Sequence, residues 1–155
     1  MIERYSRKEL KDIWSEENKY KIWLEVEIAA AEAMEKFKII PKGVSSIVKK
    51  KGKIKVKRIH DIEAKVKHDV IAFLTSITEQ AGIKARYLHQ GMTSSDVLDT
   101  SFNIQLMQSG KIILKDIDKI LIVLKRQAKK YKMTPCIGRS HGIHAEPITF
   151  GLKLA

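Results

Sequence analysis

Length, composition and charge narrow the classes to which this chain can belong. With 155 residues, 44% of them hydrophobic, it can bury one core, or one small core and part of a second, and no apolar run approaches the roughly 20 residues that cross a bilayer. A single cysteine, Cys136, excludes an internal disulfide and, with no signal-like N-terminus, predicts a cytoplasmic protein without a membrane partner.

The net charge of +12 is concentrated in residues 41–70 and 111–155. The run Lys49–Arg58 suggests an anionic partner on charge alone. However, lysine outnumbers arginine and no aromatic side chain interrupts the run to stack on bases. We therefore favour a solvated lysine face, with a nucleic-acid patch or attraction of a small anionic substrate as alternatives.

The first residues predict two helices in succession. Ser6 and Glu9 match a capping box, which predicts a short helix to about Trp14, with Arg4 and Tyr5 in an extended lead-in. Ser15 is the expected N-cap of a second helix, which Ile40–Gly43 should end. Its apolar positions are expected to extend almost around the helix: Trp23, Leu24, Val26, Ile28, Ala30, Ala31, Ala33 and Phe37.

The middle of the chain also shows mainly helical spacing. The alternating piece Lys53–Val56 can be extended, but from Arg58 to Gly82 apolar residues recur at steps of three and four: Ile59, Ile62, Val66, Val70, Phe73 and Ile77. Because Lys67-His68-Asp69 interrupts this run, the sequence leaves open whether residues 58–81 form one helix or two.

A polar stretch, Tyr87–Asp96, precedes a long helical pattern from Val97 to Tyr131 that can bend at Ser109-Gly110. Thr93 or Ser94 is the expected N-cap, and free backbone N–H groups beside these hydroxyls could bind an anion. The alternative is a capped helix without a ligand.

The long helix carries a narrow apolar seam, which is typical of bundles and oligomers. Its members are Ile113, Ile117, Ile120 and Leu124. Strand signals are almost absent, so we predict an all-α fold. The expected organisation is a small helical N-terminal domain over residues 1–110, followed by the start of a long-helix bundle domain over residues 111–155.

The segment Gly138–Gly151 has the composition of a functional site. It contains two histidines, an arginine, a glutamate and three glycines, and Pro147 suggests that a helix begins just beyond them. Four of the five histidines lie in or beside the polar stretches: His68, His89, His141 and His144. We interpret the fifth, His60, as structural or on the surface.

Two kinds of chemistry suit these histidines. His141 and His144 could chelate a metal together with Asp69 or Glu146, but neither an HExxH pattern nor a cysteine pair is present. Acid–base catalysis is favoured, with the cations Arg4, Lys67 and Arg139 available to hold an acidic substrate. No metal and no cofactor is expected.

Four segments of the chain resemble the fumarase/aspartase superfamily of lyases in order and approximate spacing. They are Met1–Ser6, Lys67–Val70, His89–Thr100 and Gly138–Pro147. The resemblance implies a homotetramer around a long helical bundle, with each active site assembled from three subunits. It also implies elimination of fumarate from a succinylated purine nucleotide, a small-molecule substrate.

The same resemblance assigns roles to individual residues. His141 would be the general acid for the departing nitrogen, and His68 would assist near the substrate phosphate or in a proton network. Thr93 and Ser94 would hold a substrate carboxylate, with His89 as a further site residue. The nucleotide site would be lined by Arg4, Tyr5, Lys67 and Asp69.

Some features depart from the superfamily pattern. Lys67 stands where arginine is common, which replaces a planar fork with a point charge, and Ser140 replaces a threonine. The loop whose serine serves as general base lies beyond position 155. We therefore expect the first third of such an enzyme, inactive by itself. The competing interpretations are a basic helical nucleic-acid-binding module and a structural oligomerisation module.

Overall fold

The structure, a computed structural model, describes residues 2–155, and of Glu3 it describes the backbone alone. Its helices are α1 (Lys8–Ile13), α2 (Glu16–Lys36), α3 (Val44–Lys51), α4 (Val56–Val66), α5 (Asp69–Ala81), α6 (Ser94–Lys130) and α7 (Phe150–Leu154). Short 3-10 turns cover Glu3–Tyr5 and Ile83–Tyr87, and two strands, β1 (Pro135–Ser140) and β2 (Ile143–Thr149), form the small remaining sheet. The predicted all-α class is confirmed.

The described chain divides into two compact units, the first ending at Ser109 and the second running from Gly110 to Ala155. Helix α6, Ser94–Lys130, contains the boundary between these two units. Among residues 2–155, no helix has the length and apolar character needed to span a bilayer.

Helix α1 begins differently from the sequence prediction. Its N-cap is Arg7, which makes no side-chain capping bond, whereas the Ser6 hydroxyl donates to the Ile2 carbonyl at 2.8 Å. The predicted capping box is therefore wrong, because α1 begins one residue later than a helix capped by Ser6 would. The 3-10 turn before α1 contains Arg4 and Tyr5, so their predicted extended conformation is wrong as well.

Helix α2 supplies one wall of the core. The Ser15 hydroxyl accepts from the amide of Asn18 at 3.2 Å, which confirms Ser15 as the N-cap. The apolar face is narrower than predicted: Phe37 is 73% exposed and the helix ends at Lys36, before Ile40–Gly43. The buried residues of α2 are Tyr20, Ile22, Trp23, Leu24, Glu27, Ile28 and Ala31.

Three aromatic rings join α2 to α5. Tyr20 and Trp23 meet edge to face at 5.2 Å between ring centroids, and Phe73 lies 6.0 Å from Tyr20 and 5.5 Å from Trp23. Such contacts add to the free energy of burying the ring surfaces. Burial also raises the pKa of the Tyr20 hydroxyl to about 12.

Part of the lysine-rich segment forms helix α3, which the sequence analysis did not predict. Val44 and Val48 are fully buried, so this helix contributes an apolar side to the core while its lysines remain exposed. The Glu35 carboxylate caps its N-terminus, accepting from the amides of Ser45 at 2.6 Å and Gly43 at 3.2 Å. These backbone hydrogen bonds hold the pKa of Glu35 below its usual value.

Two helices, α4 and α5, occupy the run that the sequence left open. Five of the six apolar positions predicted for this run are buried: Ile59, Ile62, Val70, Phe73 and Ile77. The sixth, Val66, is the last residue of α4 and is 45% exposed. Gly82 follows α5 with a φ of +81°, which confirms the predicted end of this helical run.

In the second unit, the apolar residues of α6 line no core. Three of the predicted seam residues are exposed at the surface of this unit, namely Ile113, Ile117 and Ile120, and the fourth, Leu124, is half-buried.

The segment after α6 is an antiparallel hairpin. Ser140 pairs with Ile143, and the register shifts between Ile137 and Arg139. A side chain at Gly138 would place its Cβ 2.8 Å from the Glu146 carbonyl oxygen, so glycine is required there. The expected helix start at Pro147 is wrong, because Pro147 lies in β2 opposite Ile137 and α7 starts at Phe150 with Thr149 as its cap. A two-stranded sheet tolerates this proline, since only one side of each strand needs ladder bonds.

We expect Glu35→Gln to lower the free energy of unfolding at neutral pH by about 1 kcal/mol, because a carboxamide cannot accept both amide hydrogen bonds at the start of α3. The folded pKa of Glu35 is lowered, so its stabilisation is present above the unfolded pKa and is lost as pH falls through the folded pKa. Urea unfolding from neutral to acid pH should show the difference between variant and parent shrinking. Glu25→Gln, an exposed change on the same helix, is the control, and a deficit independent of pH would contradict this account.

Candidate functional site

The break between α4 and α5 places three predicted site residues side by side. Lys67 ends α4 in the left-handed conformation, with a φ of +56°, and its amide donates to the Glu63 carbonyl at 2.8 Å. His68 is the N-cap of α5 and Asp69 is its first residue. Lys67 also lines a surface cavity of about 400 Å³ with His60, Glu63 and Ala64.

His68 Nδ1 faces both a hydrogen-bond donor and an anion. It lies 3.4 Å from the amide nitrogen of Ile71, from which it accepts as the cap of α5, and 3.6 Å from Asp69 Oδ1. An unprotonated Nδ1 accepts from the amide, whereas a protonated Nδ1 is attracted to the carboxylate. The ring therefore has a partner in either protonation state, which suits a residue that exchanges protons.

His89 is held by a residue that the sequence analysis did not single out. Glu27 on α2 accepts from the His89 amide at 2.9 Å and from its ring Nδ1 at 2.6 Å. The Glu27 side chain is completely buried and that of His89 is 19% exposed. The sequence does contain a signal for Glu27, which lies four residues after Trp23 and four before Ala31 on the buried face of α2. A charged residue is rarely buried there unless it is paired.

The predicted anion site at the start of α6 has the expected local structure. Ser94 is the first helical residue, so Thr93 occupies the capping position, and the Thr93 amide donates to Asp96 Oδ2 at 2.8 Å. Within the described part of the chain, the hydroxyls of Thr93 and Ser94 make no hydrogen bond. They are therefore available to a ligand at the positive end of the helix dipole.

The remaining predicted residues of the first unit lie on its surface. The Arg4 guanidinium lies over the Tyr5 ring, 4.7 Å from its centroid, and both side chains are exposed. His60 Nε2 lies 3.0 Å from Glu16 Oε1, a surface contact that agrees with the structural role expected for it.

The hairpin of the second unit presents His141 at its tip. Because Ser140 pairs with Ile143, the turn consists of His141 and Gly142 alone, with φ values of +52° and +97°. Positive φ at both central residues is the signature of the type I′ turn, whose twist matches that of paired strands. His141 is exposed at this turn.

Next to the turn, three basic residues of the second unit surround one cavity of about 700 Å³. Arg139 and His144 pair across the two strands, and both line the cavity together with Lys153 of α7. Positive charge around a cavity can attract an anion. Among the side chains that the structure describes, no group of three or more metal-ligating residues forms.

A backbone feature connects three of the predicted site residues. The non-glycine residues with positive φ are, within the described chain, Lys38, Lys67, His89 and His141. The left-handed conformation is unfavourable for residues with a Cβ, and such positions concentrate at functional sites. Lys67, His89 and His141 each lie where a helix or strand is interrupted.

Comparisons with known proteins show the family of this chain. A family described as Lyase matches residues 3–155. Adenylosuccinate lyases from Thermotoga maritima and Synechocystis are each 48% identical to the chain, over 99% and 100% of its length, and that of Bacillus subtilis is 44% identical over 100%. The chain spans about a third, 36%, of the length of these curated relatives.

Solved structures give the same fold. A fumarate lyase from Mesorhizobium has a TM-score of 0.87 at 26% identity, with 94% of this chain and 35% of that chain covered. The 3-carboxy-cis,cis-muconate lactonizing enzyme from Pseudomonas putida has a TM-score of 0.83 at 26% identity, with the same coverage.

We expect Lys67→Gly to leave the free energy of unfolding unchanged or to raise it by up to about 1 kcal/mol, because glycine adopts positive φ without a Cβ clash. The matched control is Lys65→Gly, two residues earlier within α4, which should lower it by about 1 kcal/mol because its φ is helical. Thermal or urea unfolding measures both. Equal destabilisation by the two changes would show that Lys67 carries no backbone strain.

Proposed function

This chain belongs to the lyase family, and from that membership we propose that it forms the N-terminal part of an adenylosuccinate lyase. The enzyme would eliminate fumarate from adenylosuccinate and from the succinyl-carboxamide ribotide of purine nucleotide biosynthesis. The observation that carries the proposal is the identity of 44–48% to three adenylosuccinate lyases along almost the whole chain.

Elimination requires two proton transfers and the loss of one bond. A base removes a proton from the carbon beside a carboxylate, the carbon–nitrogen bond breaks as the double bond of fumarate forms, and the nitrogen receives a proton. We propose that His141 supplies that second proton as the general acid. Its exposed position at a two-residue turn supports this role, since the ring can meet a ligand from outside the hairpin. The superfamily resemblance places the base outside these 155 residues.

The substrate carboxylate next to the reacting carbon needs hydrogen-bond donors that act most strongly when charge builds up. We propose that Thr93 and Ser94 supply them from the start of α6. Their unpartnered hydroxyls and the positive end of the helix dipole support this assignment. Donors fixed in place before the reaction stabilise the transition state more than the ground state.

The nucleotide part of the substrate would be bound by the remaining predicted residues. His68 would act near the phosphate or in the proton network, which is supported by its two alternative partners at Nδ1. Lys67 would attract the phosphate as a point charge, with less geometric control than an arginine fork. The residues proposed to line the rest of this site are Arg4, Tyr5, Asp69 and His89.

The proposal includes a homotetramer acting in the cytoplasm. The exposed seam of Ile113, Ile117 and Ile120 supports an oligomer, because apolar side chains in this pattern are typically covered by other helices. The single cysteine supports a reducing compartment.

A nucleic-acid-binding module is the competing function, and the structure gives it less support. Two cations of the lysine run form ion pairs within the unit, Lys49 with Glu32 and Arg58 with Glu79. The run is therefore partly neutralised, which favours its interpretation as a solvated face.

In a chimera, this chain replaces the matching segment of the Thermotoga maritima relative. We expect the chimera to release fumarate from adenylosuccinate, a reaction that is measured by ultraviolet absorbance. His141→Ala in the chimera should reduce turnover by about 100- to 10,000-fold, the usual contribution of a general acid. His60→Ala, the surface histidine, is the matched control and should leave turnover unchanged. The 155-residue chain alone is expected to release no fumarate, and turnover that survives His141→Ala would contradict the assignment.

A further inference from the structure

We propose that Glu27 is a positioning residue for His89: its carboxylate holds the imidazole through Nδ1 and thereby reserves Nε2 for the anionic substrate. This inference rests on the proposed function, in which His89 lines the substrate site. It extends that function to a residue on α2, inside the core of the first unit.

The burial of Glu27 is the first argument. Its side chain is completely buried on the face of α2 that carries Trp23 and Ile28, where an apolar residue would normally stand. Transferring a carboxylate from water to such a place is costly unless it is hydrogen-bonded or paired. Within residues 2–155, its hydrogen bonds come from His89 alone.

The geometry is bidentate. Oε2 accepts from the backbone amide of His89 at 2.9 Å, and Oε1 accepts from ring Nδ1 at 2.6 Å. One carboxylate therefore fixes both the backbone and the ring of the same residue. Because His89 has a φ of +62°, its backbone conformation is unfavourable by itself and needs such a contact to hold it.

The contact also decides which ring nitrogen a ligand can reach. A carboxylate only accepts hydrogen bonds, so Nδ1 must carry the proton that Oε1 receives. Nε2 makes no hydrogen bond within the described chain, and the His89 ring retains part of its exposure. The hydrogen bond made by one ring nitrogen sets the role of the other, so Nε2 is the atom presented to the substrate.

The proposed role differs from simple core packing in what a substitution should change. Glu27→Met keeps an unbranched side chain of similar size while removing both acceptors and the buried charge. His89→Ala leaves the carboxylate buried without a donor, so it should lower the Tm by more than Glu27→Met does.

The tautomer of His89 tests the positioning step on the 155-residue chain, and long-range 1H–15N correlation spectra report it for each neutral imidazole. We expect His89 to carry its proton on Nδ1, and Glu27→Met to release that preference so that Nε2 becomes protonated. Glu25→Gln, an exposed change on α2, should leave the spectrum of His89 as in the parent. A His89 ring protonated on Nε2 in the parent, or one that keeps Nδ1 protonated in Glu27→Met, would overturn the proposal.

Steady-state kinetics of the full-length chimera test whether the positioning serves the substrate. Glu27→Met should lower kcat/KM by about tenfold or more, mainly through KM, and should have little further effect in a His89→Ala background. Glu27→Gln keeps the shape and one acceptor, so it should show an intermediate loss of kcat/KM. Additive losses in the double variant would overturn the proposal. An inactive chimera would instead count against the proposed function, while the tautomer would still decide the Glu27–His89 contact.

Discussion

The aromatic contact between α2 and α5 is the interaction on which the candidate site of the first unit depends. Tyr20 and Trp23 pack against Phe73 with ring centroids 5.2 to 6.0 Å apart, and all three side chains are fully buried. Glu27 lies one helical turn beyond Trp23, and the cap of α5, His68, lies five residues before Phe73. The rigid packing of the rings therefore fixes the elements that carry polar groups, as sites of defined geometry require.

The candidate site residues lie where this scaffold is interrupted. Lys67, His89 and His141 all have positive φ, in a helix break, a loop and a hairpin turn respectively. If stability were the only requirement, glycine at each of these positions would adopt the same backbone conformation with less strain. Local strain of this kind persists only where surrounding contacts hold it, as the Glu27 carboxylate does for His89.

Much of the helical framework follows from local rules in the sequence. The spacing of Ile59, Phe73 and Ile77 predicts their burial. Ser15 acts as the expected cap, since its hydroxyl accepts from the Asn18 amide while it donates to the Asp12 carbonyl. The Ser6 hydroxyl likewise donates to a preceding carbonyl, that of Ile2, but it caps no helix because α1 begins after Arg7. The hairpin was missed because its strands combine glycines, a bulge and Pro147 instead of regular alternation.

Motifs in the sequence predict candidate site residues, but they do not predict the contacts that support them. Glu27 and His89 are 62 residues apart, and nothing local to either residue names the other. The spacing of α2 does indicate that a charged residue, Glu27, lies on its apolar face, but the sequence does not show which residue pairs with it. Helix α3 was not predicted, because its lysines made the segment look like a solvated charge run although Val44 and Val48 are buried.

A crystal structure of the full-length chimera with adenylosuccinate bound would test the central claim most directly, namely that interruptions of the helical scaffold form the substrate site. We expect ligand contacts from His141, from the Lys67–Asp69 break, from His89 through Nε2 and from the Thr93-Ser94 helix start. No contact is expected from the lysine run Lys49–Arg58. A ligand bound at that run, or away from all of the interruptions, would contradict the account.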